Sequence, residues 1–121
     1  MDSSFITIGV TNMEASVAFY KDVLGYQIER EMKPGSHTHL VWMACKDRLT
    51  IELVFQDQMP PANNQSSSIT LTYQISDLTT YKDQLTRLDV SFKEMALGPG
   101  VEALRFHDPN GVAVSLVAQV K

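Results

Sequence analysis

Apolar and polar residues alternate along several short segments of the chain, which is the pattern of a β-strand with one buried face. Residues 5–10 form the first such segment. A helical apolar stripe follows, formed by Met13, Val17, Tyr20 and Leu24. Asn12 is suited to cap this helix and Gly25 to end it. Three further strands are predicted, at residues 26–32, 37–45 and 49–55.

The same order of patterns occurs a second time further along the chain. Three segments match in the same order: residues 5–13 with 70–78, 20–24 with 81–85, and 49–56 with 112–119. Any one of these matches could arise by chance. Three matches in the same order, each offset by roughly 60–65 residues, indicate a tandem duplication.

The second copy predicts one helix and four strands. Asp77 is suited to cap the helix. Its apolar face comprises Leu78, Tyr81, Leu85 and Leu88. The strands are predicted at residues 70–75, 90–95, 101–107 and 112–117. Each copy is therefore a βαβββ module.

The predicted modules cover residues 4–57 (module 1) and 69–119 (module 2), joined by a polar linker at residues 58–68. Too few helices separate the strands for a doubly wound parallel sheet. A ferredoxin-like repeat would have two helices in each unit, and the sequence predicts one. Two arrangements stay open: one curved eight-stranded sheet with helices on its outer face, or two separate modules.

Composition and charge reduce the number of functional classes that the chain can belong to. A chain of 121 residues with 44% hydrophobic and 20% charged residues suits one globular domain, residues 1–121. The net charge is −4 and the basic residues are scattered, which argues against nucleic-acid binding. No apolar run is long enough to cross a membrane. The single cysteine, Cys45, and the lack of a secretory signal pattern predict a cytoplasmic protein.

Two motifs carry a resemblance to a known family. The first spans residues 8–25 and contains Asn-Met-Glu at 12–14, Phe-Tyr at 19–20 and Val-Leu-Gly at 23–25. The second spans residues 106–117 and begins Phe-His-Asp-Pro-Asn-Gly. With the strand at residues 49–55, they resemble the vicinal oxygen chelate (glyoxalase/bleomycin resistance protein/dioxygenase) superfamily. The resemblance implies an α+β fold, with tandem βαβββ modules forming a cupped, mostly antiparallel eight-stranded sheet. Helices would lie on the convex face and a ligand in the concave cup.

Alternation sorts the strand residues by face independently of the family. In metal-dependent members a divalent ion is held by four side chains, and the resemblance places these at Phe5, Glu52, Thr70 and Ser115. All four fall on the predicted cup face. Only Glu52 has the chemistry of a metal ligand, since such sites need three or four imidazole or carboxylate groups. The sequence therefore predicts neither a metal nor a cofactor.

The predicted ligand-binding residues are Phe5, Thr7, Trp42, Glu52, Thr70, Thr72, Arg105 and Ser115. The face of Trp42 stays open because its strand is apolar on both sides. Glu52 either contacts the ligand or forms an ion pair with Arg105. His37, His39 and His107 lie at predicted strand ends, where partly exposed positions are expected.

Three functions are compatible with these residues. The first is a metal-free protein of the bleomycin-resistance kind that binds a small amphipathic or cationic molecule. The second is an enzyme, such as a lyase, an isomerase or a dioxygenase-like protein, with Glu52 as general base. In the third, His37 and His39 would complete a non-standard metal site. The resemblance also implies a homodimer, with the cup formed within one chain or across two.

Overall fold

The computed structural model describes residues 3–58, residue 64 and residues 68–119 of the chain. Module 1 comprises β1 (Ile6–Gly9), α1 (Met13–Asp22), β2 (Gln27–Met32), β3 (Thr38–Ala44) and β4 (Ile51–Gln56). Module 2 comprises β5 (Thr70–Gln74), α2 (Leu78–Arg87), β6 (Lys93–Gly98), β7 (Val101–His107) and β8 (Ala113–Gln119). Most of the predicted linker, residues 58–68, lies outside the described residues.

Each module folds into a four-stranded mixed sheet. The strand order is β1-β4-β3-β2 in module 1 and β5-β8-β7-β6 in module 2. The β1–β4 and β5–β8 pairs are parallel, and the other pairs are antiparallel. The predicted α+β class and the βαβββ repeat are confirmed. Packing divides the chain into two compact units, Met1–Asn63 and Asn64–Lys121. That the two units associate into a single domain stays a prediction.

Both helices begin at the predicted capping residues. The Asn12 side chain accepts a hydrogen bond from the Ala15 backbone N–H at 3.0 Å, which satisfies one free donor of α1. The Asp77 side chain accepts from the Thr80 hydroxyl at 2.7 Å and from the Thr80 N–H at 3.3 Å. These bonds, the hydroxyl bond first, hold the pKa of Asp77 below its ordinary value. Neither described helix is long and apolar enough to cross a bilayer.

The two helices end with a residue in the left-handed region. In module 1 this residue is Gly25, with φ of 76°. Module 2 uses Asp89 instead, with φ of 59°. The Asp89 N–H bonds to the Thr86 carbonyl and the Val90 N–H to the Leu85 carbonyl, which is the Schellman pattern. Because this turn occupies Val90, β6 begins at Lys93, three residues later than predicted.

The core of module 1 lies between α1 and one face of its sheet. Buried strand residues on this face include Ile8, Val41, Met43, Ile51 and Leu53. The helix contributes Ser16, Phe19 and Tyr20 as its buried residues, whereas Met13 and Val17 of the predicted stripe are only half-buried. The Ser16 hydroxyl donates to the Asn12 carbonyl at 2.8 Å, so this small polar residue can be buried where the helix meets the sheet.

The core of module 2 has the same plan. Leu78 and Leu85 of α2 are buried against Leu71, Tyr73, Leu104, Phe106, Val114 and Leu116 of the sheet. Leu88, predicted on the buried face of α2, is 40% exposed because it is the C-cap residue. The Asp-Pro-Asn-Gly turn before β8 is held by Asp108, whose carboxylate accepts from the Asn110 and Val112 N–H groups, each at 2.8 Å.

Candidate functional site

One row of side chains crosses all four strands of module 1, on the sheet face opposite α1. The strand register pairs Thr7 with Glu52, Glu52 with Trp42, and Trp42 with Arg30. Paired residues in adjacent strands point to the same face. The flanking residues Ile8, Leu53 and Val41 are buried on the other face. We call Arg30, Trp42, Glu52 and Thr7 the module 1 row.

The structure resolves the orientation of Trp42, which alternation left open. Trp42 is half-buried and shares its face with Glu52. The Arg30 guanidinium carbon lies 4.9 Å from the centroid of the Trp42 ring, which is a cation–π contact. Phe5 approaches the same ring edge-on, with centroids 6.4 Å apart and planes at 89°. Phe5 is itself 44% exposed, so the two aromatic rings form an accessible surface.

Glu52 is positioned by its neighbour on β1. The Thr7 hydroxyl donates to one Glu52 carboxylate oxygen at 2.7 Å. The parallel pairing of β1 with β4 places these two residues side by side. The Glu52 side chain makes no other hydrogen bond or ion pair with the described residues. Its second carboxylate oxygen can therefore accept a hydrogen bond from a ligand.

An apolar row runs next to the module 1 row on the same face. It pairs Met32 with Leu40, Leu40 with Val54, and Val54 with Gly9. Met32 is 37% exposed, and Leu40 and Val54 are half-buried. The face thus presents a charged and aromatic strip beside an aliphatic one. Such a surface can hold a molecule with both polar groups and an apolar body.

Sequence reasoning missed Arg30 because of an irregularity in β2. The pairing of β2 with β3 shifts between Ile28 and Arg30. Ile28 pairs with the buried Met43, and strict alternation from Ile28 would send Arg30 to that same face. The bulge adds a residue and turns Arg30 to the face of Trp42. No feature of the sequence marks this bulge.

Module 2 carries a corresponding row. The register pairs Thr72 with Ser115, Ser115 with Arg105, and Arg105 with Lys93. Ser115 is buried, whereas Thr72, Arg105 and Lys93 are exposed. Thr70 pairs with Ala113 on the same face and is exposed. The predicted site residues therefore fall into two sets, one in each compact unit, and a Glu52–Arg105 ion pair stays a prediction.

The side chains at the family's ligand positions do not fit a divalent metal. Phe5 offers no ligand atom, and Thr70 and Ser115 offer neutral hydroxyls, which leaves only the Glu52 carboxylate. Within residues 3–58, 64 and 68–119, no group of three or more His, Cys, Asp and Glu residues could hold a metal ion.

The histidines have other partners. His37 Nδ1 lies 2.9 Å from an Asp57 carboxylate oxygen, and His39 Nε2 lies 2.5 Å from a Glu31 carboxylate oxygen. His39 pairs with Phe55, and it lies three residues before Trp42 along β3, which is an odd number of positions from the residue that pairs with Glu52. It therefore points to the opposite side of the sheet, which disfavours a metal site shared by His39 and Glu52. His107 is exposed at the end of β7.

Comparison with known proteins agrees with the fold. The model of the Glyoxalase/Bleomycin resistance protein/Dioxygenase superfamily matches residues 4–116. A glyoxylase/bleomycin resistance protein/dioxygenase domain from Frankia is similar at 17% identity and a TM-score of 0.79, covering 98% of both chains. No curated protein matches the chain significantly.

Two further solved structures cover nearly the whole chain. TnmS3, an antibiotic binding protein from a Streptomyces species, is 21% identical with a TM-score of 0.72, covering 98% of this chain and 97% of its own. A variant of the fosfomycin resistance protein FosX from Listeria monocytogenes, complexed with Mn(II) and a phosphonic acid, is 18% identical with a TM-score of 0.79. It covers 98% of this chain and 92% of its own. At these identities the likeness establishes the fold.

Proposed function

Since the chain belongs to the Glyoxalase/Bleomycin resistance protein/Dioxygenase superfamily, we propose that it is a metal-free protein that binds a small amphipathic or cationic molecule. The observation that carries the proposal is the module 1 row together with Phe5, whose ring contacts Trp42 and adds aromatic surface beside the Glu52 carboxylate. Residues at the family's metal positions offer a single carboxylate. TnmS3 from Streptomyces is an antibiotic binding protein with this fold, which supports the proposal.

Glu52 is expected to matter for binding and little for folding. Glu52 is half-buried as a residue, and its side chain makes one described hydrogen bond, an exposed one with the Thr7 hydroxyl. Glu52→Gln keeps an acceptor for the Thr7 hydroxyl and should change the free energy of unfolding by less than about 1 kcal/mol. A loss of about 3–5 kcal/mol would instead indicate a buried ion pair, for which Arg105 is the predicted partner.

A ligand screen tests the proposal directly. The full-length protein is screened by thermal shift against cationic and aromatic metabolites and antibiotics, and each ligand found is tested on Glu52→Gln. The matched control is Glu29→Gln, an exposed carboxylate in the irregular part of β2. We expect the ligand-induced rise in melting temperature to be lost in Glu52→Gln and kept in Glu29→Gln. Equal ligand responses in both variants would contradict the proposed site.

An enzyme that uses Glu52 as general base is the second candidate. The free carboxylate oxygen of Glu52 favours it, since a base must reach a proton of the bound substrate. Mass spectrometry of the recovered ligand distinguishes the two functions. A binding protein returns the ligand unchanged, whereas an enzyme returns a product whose formation stops in Glu52→Gln.

The remaining proposals concern assembly and location. Each four-stranded sheet ends in two edge strands, β1 and β2 in module 1 and β5 and β6 in module 2. Exposed sheet edges are normally covered or paired. This supports a homodimer, and the single cysteine supports a cytoplasmic protein.

A further inference from the structure

Arg30 is a cation beside the proposed ligand surface, and no anionic partner for it lies among the residues that the structure describes. It lies on β2, the edge strand of the module 1 sheet, and its guanidinium stacks on Trp42. Its side chain makes no ion pair or hydrogen bond with any other described residue. The contact with the ring holds the guanidinium near Trp42, and the N–H donors of Arg30 can bind a ligand.

The two charges of the module 1 row stand at a defined separation. Arg30 lies on β2 and Glu52 on β4, with β3 and its Trp42 between them. Neighbouring strands are about 4.8 Å apart, so the backbones that carry the two charges are roughly 10 Å apart. The order across the face is therefore cation, aromatic ring, anion.

This order disfavours a ligand with a single charge. A purely cationic ligand stacked on Trp42 would lie beside the Arg30 guanidinium, and like charges repel. A purely anionic ligand would meet the same conflict with Glu52. A molecule that carries both an anionic group and a hydrogen-bond donor satisfies both ends, and its apolar body can contact Leu40 and Val54 of the adjacent row.

We propose that the ligand is amphoteric: a ring-bearing molecule whose anionic group binds Arg30 and whose amine or hydroxyl binds Glu52. This rests on the proposed ligand-binding function of the module 1 face, and it makes Arg30 a specificity-determining residue. A carboxylate, phosphonate or phosphate suits the planar guanidinium, which binds such groups through two parallel hydrogen bonds. The net charge of −4 attracts cations at long range, so the local arrangement, not the global charge, selects the anionic group.

Three small probes that share a phenyl ring and differ in their charged groups separate the contributions of the two charges to binding. 4-(Aminomethyl)phenylacetate carries both, 4-methylbenzylamine carries only the cation, and 4-methylphenylacetate carries only the anion. Because Trp42 is the only tryptophan of the chain, its fluorescence reports binding at this face in the full-length protein. Ligand-observed NMR provides a second measurement of Kd, since replacing Arg30 also changes the emission of Trp42 itself.

We expect the doubly charged probe to bind at least about tenfold more tightly than either singly charged probe. Arg30→Met should remove this advantage and leave the affinity for 4-methylbenzylamine unchanged or higher. Glu52→Gln should weaken the doubly charged probe and spare 4-methylphenylacetate. Arg87→Met, an exposed arginine of α2, is the matched control and should change none of these affinities.

Equal affinity of the cationic and doubly charged probes, with no effect of Arg30→Met, would overturn the amphoteric ligand and leave the proposed binding function intact. Failure of all three probes to bind at millimolar concentration would also overturn it. A different result would contradict the proposed function itself: a screen of metabolites and antibiotics that finds no ligand whose binding depends on Glu52.

Discussion

Replacing Asp89 by glycine is expected to stabilise the protein. Asp89 has φ of 59° at the end of α2, a backbone region that costs an L-residue about 1–2 kcal/mol, with Asp at the low end. Its carboxylate also lies at the negative end of the helix dipole, which costs about 0.3–1 kcal/mol. Glycine removes both of these costs. It also gives the unfolded chain more conformational entropy, which destabilises the folded state by about 0.4–1 kcal/mol. We therefore expect a net gain of about 1 kcal/mol.

The assay is thermal unfolding followed by circular dichroism. A gain of about 1 kcal/mol in a chain of this size corresponds to a melting temperature roughly 3–5 °C higher. Asp89→Asn removes the charge and keeps a residue that tolerates the left-handed region, so it should recover part of the gain. Asp89→Ala should lower the melting temperature, because alanine tolerates positive φ less well than aspartate.

Two other positions serve as controls for this reasoning. Gly25 is the left-handed residue that follows α1, and a Cβ built there meets no atom within 4 Å. Gly25→Ala should therefore cost about 1 kcal/mol through the backbone alone. Asp47 is a second aspartate in the left-handed region, with φ of 63° in the β3–β4 turn, so Asp47→Gly tests the same backbone effect at another position. A lower melting temperature for Asp89→Gly would refute the account of the helix end.

Three further predictions concern the turn between β7 and β8, the absence of a metal and the oligomeric state. Asp108→Ala should lower the free energy of unfolding by about 2–4 kcal/mol, because the Asn110 and Val112 N–H groups lose their acceptor; urea denaturation measures this, and an unchanged midpoint would contradict it. Elemental analysis after dialysis should find no stoichiometric divalent metal, and about one Zn, Ni, Fe or Mn per chain, lost in Glu52→Ala, would refute the metal-free proposal. Light scattering coupled to size exclusion should report twice the 13.5 kDa chain mass, whereas a monomer at micromolar concentration would exclude the dimer.

Local signals were sufficient to predict the elements of the fold. The caps at Asn12 and Asp77 are set by side chains that bond within their own helix. The buried faces of β1 and β4 follow from alternation, because each strand pairs regularly with its neighbours. These features depend on a few adjacent residues, which a single sequence displays.

Features that depend on pairing between strands could not be predicted. Trp42 lies in a strand that is apolar on both faces, so only its register with Glu52 reveals its orientation. The bulge in β2 reverses the face of Arg30, and the resulting contact with Trp42 is set by tertiary structure. The bond between Thr7 and Glu52 likewise depends on the parallel pairing of residues that are far apart in the chain.

The measurement that tests the central claim most directly is an NMR titration of the ¹⁵N-labelled full-length protein with a ligand from the screen. The single tryptophan gives one indole N–H resonance, so Trp42 is identified without ambiguity. Binding to the module 1 row predicts the largest shifts at this indole and at the backbone amides of Thr7, Glu52 and Arg30. Shifts that leave the Trp42 indole unchanged and concentrate on the opposite face, around Val17 and His39 beside α1, would contradict the assigned ligand surface.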